Sequence, residues 1–112
     1  MDLESLKSRF IAESHEDWVG LWQLVKAVRE KLRVTDPIEL RRLTLELIEQ
    51  LVEAGLKPGQ SPYAPGGFQL WPEVTIEAIL QRIEREWDAL GREPNISDIC
   101  WFDNPLAGIE NS

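Results

Sequence analysis

The side chains able to do chemistry are few and scattered. His15 is the only histidine and Cys100 the only cysteine, so a histidine dyad, a two-histidine metal site, a Cys-x-x-Cys pair and an internal disulfide are all ruled out within this sequence. His15-Glu16-Asp17 sets three ligand-type residues in succession, but neighbours at a helix start diverge instead of converging on one ion. A solvent-exposed turn is expected there. Cys100 would need a base or a cation to lower its pKa, and its neighbours Asp98 and Asp103 carry the opposite sign. Glu84 and Asp88 stand one helical turn apart, yet acid/base hydrolysis needs two carboxyls across a cleft with separated pKa values. With 20 acids in 112 residues, such pairs arise on any polar face. The sequence has no Gly-x-Ser-x-Gly, phosphate loop or dinucleotide fingerprint, and Gly66-Gly67 alone marks a turn. The reading is a non-enzyme with no catalytic residue, no cofactor and no metal.

Five tryptophans are many for this length. Trp18 and Trp22 share a helical stripe and Trp87 lies on another, so these three read as core. Trp71 and Trp101 fall outside the regular helical patterns, and with Phe102 they are the candidate anchors for a partner, since rigid aromatics supply much of the holding energy of interfaces.

The elements that must position these residues follow from apolar spacing. Leu3, Leu6 and Phe10 predict a helix over 3–13. Ser14, with Asp17 three positions on, reads as the cap of a second helix, whose stripe is Trp18, Leu21, Trp22, Val25, Val28 and Leu32, with Gly20 and Ala27 on its solvent side. Asp36-Pro37-Ile38-Glu39 is a start signal and Gly55 a stop. Between them Ile38, Leu40, Leu43, Leu45, Leu47, Ile48, Leu51 and Val52 cover an arc of about 220°, which requires neighbours on two sides. Thr44, inside that arc, is expected to bond a carbonyl one turn back. Lys57 to Gly67 is rich in Pro and Gly and breaks the helix. Phe68-Gln69-Leu70-Trp71 alternates like a short strand, a hairpin partner for Leu56 and its neighbours. Ile76, Ile79, Leu80, Ile83, Trp87 and Leu90 then occupy an arc of about 100° on a last helix ended by Gly91. Ile99-Cys100-Trp101-Phe102 reads as an apolar patch that docks back, and 104–112 as a loose tail. The expected fold is mainly α, a compact single domain over 1–112 with three to four helices and a short β-hairpin between the central and last helices.

The order helix, helix, Gly55-Leu56, then a Gly/Pro-rich hairpin resembles a winged-helix domain over about 17–71. In that resemblance the segment Leu43 to Leu56 would be the recognition helix before the wing. A DNA-reading helix presents Arg, Lys, Asn or Gln, whereas Glu46, Glu49 and Glu53 face outward here. The stretch from Glu86-Trp87-Asp88 through Asp98-Ile99-Cys100-Trp101-Phe102 looks like the C-terminal end of small bacterial proteins of unknown function, a resemblance that implies no activity.

Charge directs the choice of partner. A net charge of −8 and a pI near 4.6 oppose nucleic acids and anionic membranes, because phosphate binding rests on lysine and arginine. No apolar run approaches the roughly 20 residues of a membrane span, and Met1-Asp2-Leu3-Glu4 lacks the basic start of a signal peptide, so a cytoplasmic location is expected. The leading expectation is a bacterial protein-interaction module of unassigned process that meets a basic protein through Glu46, Glu49, Glu53, Trp71, Trp101 and Phe102, an immunity-type inhibitor of a basic toxin being its most concrete form. The alternatives are a DNA-associated regulator using Lys26, Arg29, Arg33, Arg41 and Arg42, and a small hydrolase working through clustered acids. Oligomeric state does not follow from sequence.

Overall fold

A computed structural model describes residues 1–105. The Asp2 carboxylate accepts from Ser5 N–H and starts α1 (Leu3–Ser14), which buries Leu6 and Phe10. Ser14 ends this helix instead of capping the next, its hydroxyl bonding Ile11 O at 2.6 Å. The chain then extends through β1 (Val19–Gly20) and enters α2 (Leu21–Lys31). The second helix therefore starts later than the stripe from Trp18 implied. The local cause is at Gly20, whose N–H donates to Gln23 Oε1 at 2.7 Å, the reach-back of a third-position glutamine that marks a helix start. Trp18 is left outside the helix and exposed, while Gly20 and Ala27, expected on the solvent side, are buried.

The central helix α3 (Pro37–Glu53) starts and stops where its signals place it. Asp36 caps Glu39 N–H, and Gly55 takes φ +110° just past the end. It contacts α1, α2 and α4, the several neighbours its wide arc demanded. Ile38 is the exception, 80% exposed in the first turn. Thr44 is fully buried and its hydroxyl donates to Leu40 O at 2.7 Å.

After α3 come β2 (Lys57–Gly59), a loop, α4 (Ile76–Leu90) and β3 (Trp101–Asp103). Thr75 caps α4 and Gly91, at φ +67°, stops it. The mainly helical fold with a small antiparallel sheet matches the expectation. The β-structure itself is richer: the sheet has three strands in the order β1-β3-β2, and the middle one comes from the patch after α4. The expected hairpin is present in reduced form, as a bridge between Gly59 and Leu70 with Trp71 N–H donating to Pro58 O at 3.0 Å. One continuous cluster of buried side chains joins all four helices and the inner face of the sheet. Asn104 is also docked, donating to Ser14 Oγ at 3.1 Å, so the tail is not loose at its start. The remainder of the expected tail, 106–112, lies outside the described residues.

Candidate functional site

Strand register assigns the two faces of the sheet. Val19 pairs with Phe102, and Phe102 with Pro58. Side chains of paired residues share a face and alternate along each strand, and these three are buried, with Val19 and Phe102 in the main core. The other face carries Gly20, Trp101 and Gly59 in one row. Asp103 and its partner Lys57 form the next row, with Trp18 one residue before β1.

This outer face holds a second aromatic assembly. Trp101 is only 7% exposed, yet it does not belong to the main core cluster. It is covered by Tyr63, whose ring meets it edge-on at 5.6 Å. Phe68 stacks with Trp18 at 6.3 Å and 27°. Both glycines of the central row are required by this packing. A Cβ on Gly20 would stand 2.7 Å from the Trp22 indole and 3.4 Å from the Trp101 ring. One on Gly59 would stand 2.6 Å from the Phe68 ring and collide with Gln69 O. The covering loop is bonded mainly to itself, through Gln60 N–H to Gln69 O, Gln60 Nε2 to Gly67 O and Gly67 N–H to Ala64 O. Trp22 Nε1 and Trp101 Nε1 are buried without an acceptor, a costly state for an indole N–H.

Around the aromatic face the charge is mostly negative. Glu16 and Asp17 are exposed and Asp103 half-buried, and together with Trp18 they line a cleft of about 350 Å³. Asp17 Oδ1 accepts from the main-chain N–H of Trp18 at 2.8 Å, which fixes that carboxylate against the backbone at the mouth of the cleft. Lys57 is the cation of the same face. Beyond Trp22 the groove between α1 and α2 is lined by charges of both signs, Arg9, Lys26 and Lys31 with Glu13 and Glu30.

Elsewhere five arginines are engaged within the chain. Arg29 pairs with Glu93, Arg41 with Asp88, Arg42 with Glu39, Arg82 with Glu73 and Glu86, and Arg92 with Asp98. Hydrogen bonds from these arginines hold the Glu39, Glu73 and Asp98 carboxyls below their ordinary range. A groove of about 500 Å³ between the start of α3 and the end of α4 is walled by Ile38, Leu40 and Trp87 and rimmed by Arg29, Arg41 and Arg92. All three of those guanidinium groups belong to the ion pairs above. Three of the five residues named for a basic patch, Arg29, Arg41 and Arg42, are therefore already neutralised.

The residues expected at a partner surface divide by exposure. Glu46, Glu49 and Glu53 are exposed along α3. Trp71, Trp101 and Phe102 are all buried within the chain. Phe102 belongs to the main core, and Trp71 lies beneath Arg82, whose guanidinium is 3.8 Å from its ring centroid. The exposed aromatics are instead Trp18 and Tyr63. Sequence periodicity placed Trp18 in a helix and Phe68 in a short strand, and passed over Tyr63 within the Pro- and Gly-rich break; the signal available was the density of aromatics beside Gly and Pro. Cys100 is fully buried, and burial pushes its thiol well above the ordinary value. Glu84 and Asp88 are drawn to Arg41. Among the described residues no group of three or more His, Cys, Asp and Glu is placed to hold a metal, and no described helix is long and apolar enough to cross a membrane.

Compared with known protein families, curated proteins and solved structures, the chain matches none of them.

Proposed function

We propose that this chain is a non-enzymatic interaction module whose acidic surface receives a basic protein, with inhibition of a basic toxin by an immunity-type protein as the most concrete form. The observation that carries this reading is the unequal use of charge. Six arginines are consumed by internal ion pairs, Arg42 reaching Glu46 as well at 3.6 Å, while Glu49 and Glu53 on α3, and Glu16 and Asp17 before β1, remain exposed. A field of that sign accelerates encounter with a cationic partner and repels polyanions.

The chain order α1, β1, α2, α3, β2 and the loop that follows support a winged-helix-like frame. In that frame α3 stands at the recognition position with carboxylates on its exposed face, which favours a protein partner over a duplex. The test is affinity capture from the source cell at low ionic strength, followed by a salt gradient. Retained proteins of basic pI that elute as salt rises are expected. Absence of any specific partner, binding that ignores salt, or tight binding of a DNA duplex would overturn the reading.

A further inference from the structure

The geometry points to the outer face of the sheet, bounded by Trp18, Tyr63, Asp17 and Asp103, as the docking surface for an arginine-bearing segment of a basic partner. The inference rests on the proposed interaction role and adds its location and chemistry. Aromatic area is presented in the open here, with Trp18 38% and Tyr63 73% exposed. Each ring is also braced from behind, Trp18 by Phe68 and Tyr63 by Trp101. Braced rings lose little freedom on binding, which favours them as anchors.

The charge of the rim selects what such rings receive. Asp17 is held by the main-chain N–H of Trp18, Glu16 precedes it, and Asp103 ends β3 on the same face; Lys57 is the cation against them. A guanidinium laid on an indole face and paired with a carboxylate satisfies both features, because its planar fork stacks and bonds at once.

The buried indole of Trp101 is an independent pointer to a ligand. It lies on this outer face, more than nine-tenths buried, with Nε1 lacking an acceptor. Its cover is the loop over 60–69, which is fastened chiefly to itself.

The test uses the full chain and three nonapeptides, of arginine, lysine and glutamate, followed by tryptophan fluorescence and calorimetry in about 0.15 M salt. Nona-arginine binds with a change in fluorescence, nona-lysine binds more weakly, and nona-glutamate does not bind. Trp18→Ala weakens nona-arginine about fivefold and Trp18→Phe restores most of it. Tyr63→Ala, at a more exposed ring, gives a second reading independent of Trp18. Asp17→Asn with Asp103→Asn weakens binding while keeping the acceptor to Trp18 N–H. Glu46→Gln with Glu49→Gln and Glu53→Gln leaves it within about twofold, the change expected of charges screened by distance. If instead the α3 variants abolish binding and the Trp18, Tyr63 and aspartate variants do not, the docking site is wrong and the interaction role stands. If none of the peptides binds, or nona-glutamate binds best, both fall.

Discussion

Gly59 shows how a single missing side chain shapes the surface. Its Cα lies under Phe68 and Gln69, and a Cβ has no room there. Gly59→Ala is expected to cost about 1–3 kcal/mol through overpacking, read by urea denaturation, and to raise the fluorescence sensitivity of the aromatic face to quenchers as the loop lifts. Asp98 offers a residue-scale prediction in pH. Arg92 and the Asn95 N–H hold its carboxyl below its ordinary value of 3.8. A carboxyl with a lower pKa folded than unfolded contributes stability above its unfolded value, and that contribution is lost as pH falls through the folded one. Melting temperature followed from pH 6 downward should thus fall below about pH 4, and Asp98→Asn should flatten that acid slope while lowering stability at neutral pH. Cys100, buried with its thiol pKa raised, should resist alkylation at pH 8 in the native protein and react fully in denaturant. Fast native labelling would contradict its placement.

Among the elements, α4 presents one stripe inward and α3 several. Ile83 is fully buried on that stripe, so Ile83→Ala should cost about 2–5 kcal/mol. Ile38→Ala, at a position the sequence arc treats as equivalent to its buried neighbours, should stay within about 0.5 kcal/mol because its side chain is in solvent. Equilibrium unfolding of the two variants side by side decides the matter. That pair also marks what the residues reveal by themselves. Helix α1 was legible from its apolar period alone, and α3 and α4 because end signals and apolar periods agree: Asp36, Pro37 and Gly55 bracket α3, and Gly91 closes α4. The start of α2 was not, because Trp18 continues the helical spacing of Trp22 and Val25 by accident, while the extended Val19-Gly20 is fixed by pairing with residues over 80 positions away. Strands of two and three residues have too little period to read. The same long-range pairing decides the candidate site. The exposed carboxylates of α3 follow from one helix, but the convergence of Trp18, Tyr63, Phe68 and Trp101 depends on where β3 inserts.

At the scale of the molecule, β3 joins what would otherwise be separate parts. Its Phe102 is fully buried in the common core and its Trp101 supports the outer aromatic face, so one strand couples stability to the proposed surface. Phe102→Ala should cost about 3–5 kcal/mol and, measured by heat and by denaturant, should lower the unfolding midpoint of helices and aromatic signals together. Separate transitions would mean that the outer face melts on its own. The middle strand of the sheet is also the last described element in chain order. During synthesis β1 and β2 therefore wait with a vacant slot between them until α4 and the residues after it have emerged. A helical core can assemble early on the nascent chain, but the surface proposed for binding comes into being only once Trp101 to Asp103 have emerged. A chain stalled before Trp101 would carry all four described helices but lack the strand on which the docking face is assembled, so such products would not compete for the partner.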